Sequence, residues 1–175
     1  MKIVSDKSGL ADPVRSIVTF RLLGDAEVRD LLDHVDILEL EEGEVVVEEG
    51  DVSPYLYGIV EGTVGVSVGS ESKKVYVNSL GAGDVFGEAG IFMSVPRTAT
   101  VTAQSEATIV RVHRTQLASF LRRYPEAGNK ILLVFIYGLL RKLRLADEEL
   151  AYERKSDLDQ GDVDAMVASL LGEEG

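Results

Sequence analysis

The chain has 175 residues, 45% of them hydrophobic, and a net charge of −12. That suits one domain with short appendages and a sizeable core, and it argues against a nucleic-acid partner, which needs a basic face. The absence of cysteine excludes disulfides and cysteine-based metal sites.

Two histidines, His34 and His113, stand far apart and give no zinc spacing. The N-terminus lacks a hydrophobic signal core, and the longest apolar run, Ile131 to Leu140, falls short of the ~20 residues a bilayer span needs. The expectation is a cytoplasmic protein with no membrane segment.

Residues 1–14 read as a flexible N-terminus of mixed charge, with Gly9 and Asp12-Pro13 as breakers. Ile17, Val18, Phe20, Leu22 and Leu23 follow, then Gly24-Asp25. Asp25 is expected to cap a helix that carries Val28, Leu31, Leu32 and Val35 on one side. His34 in this helix reads as a boundary residue, since no catalytic partner is near it in the sequence.

From Asp36 to His113 the period changes to two. Short β-type segments recur at Ile37 to Leu40, Val45 to Val47, Tyr55 to Val60, Val64 to Val68, Val75 to Leu80, Val101 and Ile109 to Val112. Turn signals separate them at Glu42-Gly43, Gly50-Asp51, Ser53-Pro54, Glu61-Gly62, Gly69-Ser70 and Gly81-Ala82-Gly83. Many short strands between glycine turns predict a sandwich or barrel.

Inside this region Gly87 and Gly90 bracket one acid, Glu88, before the apolar Ile91 and Phe92. A helical turn starting there presents unpaired N–H groups, which suit an anion. Pro96 pre-sets a turn, Arg97 follows it, and Thr98-Ala99-Thr100-Val101 alternates as a strand. A guanidinium matches two phosphate oxygens with parallel N–H groups, whereas an ionised Glu only accepts and so suits a hydroxyl. A plain ion pair between Glu88 and Arg97 in an empty loop is the competing reading.

Beyond Arg114 the pattern is helical. Thr115 is the expected cap of a helix through Leu121, and Arg122-Arg123-Tyr124-Pro125 breaks it. A long helix is expected from about Pro125 to Arg154. Leu132, Ile136, Leu139, Leu143, Ala146 and Leu150 follow spacings of 4, 3, 4, 3 and 4, a heptad seam for pairing two helices. Val134, Phe135 and Tyr137 lie off that seam and are expected to face the barrel. After Lys155 the chain carries six acids and no Lys or Arg. Val163, Met166, Val167, Leu170 and Leu171 form an apolar stripe in this acidic tail, residues 156–175.

Phe86-Gly87-Glu88-Ala89-Gly90-Ile91 with Arg97-Thr98-Ala99 closely resembles the phosphate-binding cassette of the cyclic nucleotide-binding domain family. Gly43, Glu49-Gly50-Asp51, Leu56, Tyr57, Ile59, Gly62 and Gly83-Asp84 extend the resemblance over roughly residues 17–145. It implies a mainly β fold with flanking helices: a jelly-roll β-barrel (double-stranded β-helix), an N-terminal helix and a long C-terminal helix. The domain then spans residues 15–155.

The resemblance implies a ligand set of Gly87, Glu88, Ala89, Gly90, Ile91, Arg97, Thr98 and Ala99. Arg97 holds the cyclic phosphate, Glu88 the ribose 2′-hydroxyl, and amides near Gly90, Ile91 and Thr98 complete the cradle. The ligand is cyclic AMP or cyclic GMP, with no cofactor and no metal. Bacterial catabolite regulators offer small hydroxyl side chains to adenine near Leu145-Ala146-Asp147; Asp147 stands there instead, as a candidate base contact that leaves the nucleotide open. Thr98 points weakly to guanine, and bacterial base rates put cyclic AMP first.

In the resembled regulators the long helix is a dimer axis, which implies a homodimer through Leu132, Ile136, Leu139, Leu143 and Leu150. The expected function is a sensor that signals through this helix, not an enzyme and without a DNA-binding domain. Residues 160–167 resemble the flagellar switch peptide that docks on a chemotaxis response regulator, so such a protein is an expected tail partner. The alternative is a ligand-free adaptor on the same fold. A metal enzyme of cupin type lacks its histidine cluster.

Overall fold

The computed structural model describes the backbone of residues 1–69 and 73–171, and the side chains of 1–69 and 73–148. Nine strands and five helices follow in the order β1 (Lys2–Val4), α1 (Ala11–Ser16), α2 (Asp25–Asp33), β2 (Asp36–Leu40), β3 (Val45–Val47), β4 (Tyr55–Glu61), β5 (Thr63–Val68), β6 (Val75–Gly81), β7 (Val85–Phe86), α3 (Glu88–Phe92), β8 (Thr100–Ala103), β9 (Ala107–His113), α4 (Arg114–Arg123) and α5 (Pro125–Leu171) among the described residues. The strands form two antiparallel sheets of order β1-β2-β9-β4-β7 and β3-β8-β5-β6. This is the mainly β jelly roll with flanking helices that the sequence led us to expect.

The alternation of the strands decides which layer each side chain joins. Along β2 and β9, Leu38, Leu40 and Ile109 enter a core between the sheets with Tyr57, Ile59, Val64, Phe86 and Val101. Their neighbours Ile37, Val110 and Val112 point the other way. There they meet Ile17 and Phe20 from the connection between α1 and α2, and Val28, Leu31, Leu117, Phe120, Ile131 and Phe135 from the helices. The first sheet is thus covered on both faces, which explains the near-continuous apolar run of β4. The edge strand β6 is exposed from Val75 to Ser79.

The structure differs from the sequence reading at several boundaries. Lys2–Val4, expected as part of a flexible end, pairs with β2 in register Lys2↔Glu39 to Val4↔Ile37. The α2 cap is Gly24 rather than Asp25, and its N–H donates to Glu27 Oε2 at 2.6 Å. The α4 cap is His113 rather than Thr115: its Nδ1 accepts from the Thr115 N–H at 3.2 Å, an acceptor role usually given to a small hydroxyl or amide. Strand β7 is absent from the strand segments read off the sequence and pairs with β4 through Tyr57↔Phe86 and Gly58↔Val85.

Two compact units divide the chain, Met1–Phe135 and Ile136–Gly175. Helix α5 contributes Ala127, Ile131 and Phe135 to the buried core of the first. In the second, Ile136, Tyr137, Leu139, Leu140, Leu143 and Leu145 are each at least half exposed. Tyr137, expected against the barrel, is 71% exposed. The helical backbone continues to Leu171, past the expected end near Arg154. The seam residue Leu150 and the tail stripe from Val163 lie outside the residues whose side chains are described.

Candidate functional site

The cassette is built around Arg97. It lies between Pro96 and β8, and its main chain is fixed on both sides. Its N–H donates to the Asp51 carbonyl at 2.8 Å, and its carbonyl accepts from Gly50 N–H at 2.9 Å. The side chain is only 8% exposed. A buried guanidinium needs acceptors, and here they are neutral oxygens. Nη1 donates to the Gly87 carbonyl at 3.0 Å. Nη2 donates to the carbonyls of Tyr55 at 2.7 Å and Ser53 at 3.0 Å, and to the Ser53 hydroxyl at 2.9 Å. Nε reaches the same hydroxyl at 3.2 Å. Carbonyls and a hydroxyl satisfy N–H groups without cancelling the cation's charge.

The two glycines make room for that cation. Gly87 is the N-cap of α3 at φ 82°, in the left-handed region. A Cβ there would stand 2.9 Å from Arg97 Nη1 and 3.0 Å from the Tyr55 carbonyl. At Gly90 it would stand 2.6 Å from Nη1, 2.7 Å from the Ser53 carbonyl and 2.8 Å from Arg97 Cζ. In the structure the Arg97 guanidinium occupies the space that these glycines leave.

Glu88, half-buried, is the first residue of α3, directly after the carbonyl that Arg97 holds. Ala89 and Thr98 are exposed, and Ala99 is half-buried. Ile91 sinks its side chain into the core at 4% exposure and so anchors the turn. The Gly90 amide, expected in the phosphate cradle, donates to the Gly87 carbonyl at 3.1 Å. Asp147 is an exposed residue of α5 in the second unit.

Sequence reasoning missed the partners that hold the site. Ser53, Tyr55 and Tyr57 come from the start of β4 and the loop before it, forty or more residues upstream of Arg97. Tyr57 stacks on Phe86 with ring centroids 4.9 Å apart and planes 8° apart. Arg97 Cζ lies 5.9 Å from the Tyr57 ring centre. Burial raises the Tyr57 pKa above the ordinary 10.0, while the charges of Arg97 and Arg111 and a hydrogen bond from Ser53 act against that rise. Arg114, the first residue of α4, grips the other end of the cassette: Nη2 donates to the Gly90 carbonyl at 2.6 Å and Nη1 to the Ser94 hydroxyl at 3.2 Å. No sequence signal marks these main-chain acceptors.

A cavity of about 490 Å³ opens elsewhere, between Met1, Lys2, Glu39, Glu44, Glu61 and Glu106, and includes no cassette residue. Among the described residues no three His, Asp or Glu side chains gather to hold a metal ion. No described helix is long and apolar enough to cross a membrane.

The family model for the cyclic nucleotide-binding domain matches residues 37–124, from β2 through the cassette to the end of α4. The chain belongs to the cyclic nucleotide-binding domain family. Among its relatives is the CRP-like cAMP-activated global transcriptional regulator of Mycobacterium tuberculosis, 32% identical over 130 residues, 74% of this chain and 54% of the relative. The cGMP-dependent protein kinase, isozyme 1, of Drosophila melanogaster is 32% identical over 156 residues, 86% of this chain and 19% of the kinase. The chain thus spans about half or less of the length of these two relatives. A crystal structure of a cyclic nucleotide-binding domain from Methylobacillus flagellatus is similar with TM-score 0.71 and 25% identity, covering 82% of this chain and 83% of that one. The Thermus thermophilus catabolite activator protein gives TM-score 0.66 at 25% identity, covering 76% and 61%.

Proposed function

We propose that this cyclic nucleotide-binding domain is a live sensor in which Arg97 holds the cyclic phosphate and Glu88 the ribose 2′-hydroxyl. The observation that carries the reading is the state of Arg97. A buried cation surrounded by uncharged acceptors, beside a carboxylate one residue past the turn, offers phosphate and sugar their separate partners. Amides near Ile91 and Thr98 complete the cradle, with Ala89 and Ala99 beside it. Cyclic AMP is the first candidate, with cyclic GMP kept open by Asp147 and by relatives of both kinds. The module binds and signals in the cytoplasm rather than catalysing.

The signal leaves through α5. The exposed apolar side chains Ile136, Leu139 and Leu143 repeat at heptad spacing and suit a second copy of the chain, with Leu132 and Leu150 extending the seam. The acidic tail, residues 156–175, serves a response-regulator-like partner. Occupancy changes that output only if the ligand binds two states of the protein unequally.

One observation favours the ligand-free adaptor: protein oxygens already satisfy much of the Arg97 guanidinium. Calorimetry and thermal shift with cyclic AMP, cyclic GMP and linear AMP separate the readings. A sensor is stabilised by one cyclic nucleotide in proportion to its occupancy. An adaptor gives no heat and no shift with any of the three.

A further inference from the structure

We infer that Ser53 is the positioning residue that sets the guanidinium plane of Arg97 for phosphate. This rests on the reading that Arg97 is the phosphate ligand. A guanidinium carries five N–H groups in one rigid plane. The Ser53 hydroxyl accepts from two of its nitrogens, Nε at 3.2 Å and Nη2 at 2.9 Å. One oxygen gripping both ends of that edge stops the plane from turning. The other described acceptors are main-chain carbonyls of Ser53, Tyr55 and Gly87. The hydroxyl is therefore the part of this cage that a substitution can delete while the backbone stays in place.

The hydroxyl has one proton to give, and its two lone pairs already face Arg97. Tyr57 is 4% exposed and stacked on Phe86 in the core between the sheets. The Tyr57 ring, its centre 5.9 Å from Arg97 Cζ, thus backs the cation from the core. Phosphate recognition by paired N–H groups tolerates errors of only ~0.5 Å and 10–20°, so a freely turning guanidinium binds less well.

The test is calorimetry with cyclic AMP and cyclic GMP on the full chain, beside melting curves, for wild type, Ser53→Ala, Ser53→Thr and Ser53→Cys. Ser53→Ala is expected to weaken the better nucleotide about 5–20-fold, at and below the low end for losing a hydrogen bond to a charged group, because the carbonyl acceptors remain. Ser53→Thr, which keeps the hydroxyl, is expected to restore affinity to within about twofold. In the nucleotide-free protein, the Arg97 Nε–H signal in NMR should be sharp in wild type and Ser53→Thr, and broadened in Ser53→Ala. Wild-type affinity in Ser53→Ala, with Arg97→Ala inactive, overturns the role of Ser53 and leaves Arg97 standing. Equal weakness of Ser53→Thr and Ser53→Ala also overturns it. Wild type that binds neither nucleotide overturns the Arg97 reading, and this inference falls with it. Should Ser53→Ala fail to fold, Ser53→Cys decides: it keeps the shape with a far weaker acceptor, and unchanged affinity with an unchanged Arg97 signal overturns the proposal.

Discussion

Two arginines lie over the paired tyrosines of β4, and they are held in opposite ways. Arg111 Cζ stands 4.7 Å from the Tyr55 ring centre, and Arg97 Cζ 5.9 Å from that of Tyr57. Arg111 sits on β9 directly opposite Asp36 in the sheet register, and the carboxylate takes its Nε at 3.1 Å and its Nη2 at 2.8 Å. That pair satisfies the donors and cancels the charge, the work of a structural cross-strand pair. Arg97 enters from a loop and meets carbonyls and a hydroxyl, which satisfy donors but leave a charge for a ligand to meet. The chemistry of the acceptor, more than burial or aromatic contact, separates this structural arginine from the one proposed to bind.

The largest effect should follow from deleting the arginine proposed to bind phosphate. Arg97→Ala is expected to lower cyclic nucleotide affinity by about 100-fold or more, corresponding to ~3 kcal/mol for a lost charged partner. Calorimetry well below the melting temperature checks this without confusion from lost stability. If Arg111→Ala does the same while its fold is retained, the contrast between the two arginines is broken.

Next comes Gly90→Ala. The added methyl would fall 2.6 Å from Arg97 Nη1 and 2.7 Å from the Ser53 carbonyl. The cation can swing away, but the carbonyl belongs to the backbone, so the turn itself must move. We expect about tenfold weaker nucleotide binding and a loss of about 1–3 kcal/mol in stability, read by titration and by urea unfolding. A variant that binds as wild type does would show that the guanidinium need not stay where it lies.

This contrast explains what the sequence could disclose. Gly87, Glu88, Gly90 and Arg97 stand in one short stretch, so their chemistry is visible as a string of residue types. Period-two alternation revealed most strands because Leu38 and Ile37, or Ile109 and Val110, serve different layers. The cage around Arg97 was invisible. Carbonyls of Ser53, Tyr55 and Gly87 exist whatever the side chain, and only the fold brings the first two to Arg97. Strand β1 is three residues long and exists by pairing with β2, not by its own pattern. The His113 cap escaped because imidazole is an uncommon acceptor at that position.

A smaller effect tests the structural arginine. Asp36→Asn removes the charge partner of Arg111 and keeps the shape. The aspartate side chain is 42% exposed, so water screens much of the attraction. The expected loss is about 0.5–1 kcal/mol, or roughly 1–4 °C in melting temperature for a chain of this size. Nucleotide affinity should stay within about twofold of wild type, since this pair leaves the Arg97 cage intact.

The smallest expected effect appears only in alkali, and it reads the charge of Arg97 directly. Burial holds the Tyr57 pKa above its ordinary 10.0, so the folded protein keeps this proton after the unfolded chain has lost it. The contribution to stability is complete below the unfolded value and fades as pH rises from there through the folded one. Tyr57→Phe should therefore lose less stability than wild type between about pH 10 and pH 12, in urea melts that start from each protein's own value at pH 8. The Arg97 charge pulls the phenol down. A phosphate that meets that charge should release the pull, so saturating cyclic nucleotide should shift the phenol titration upward, measured by tyrosinate absorbance as the difference between wild type and Tyr57→Phe. Arg97→Ala should show the upward shift without ligand. An unmoved titration on saturation would mean the ligand's charge lies away from Arg97, even in a protein that binds the nucleotide.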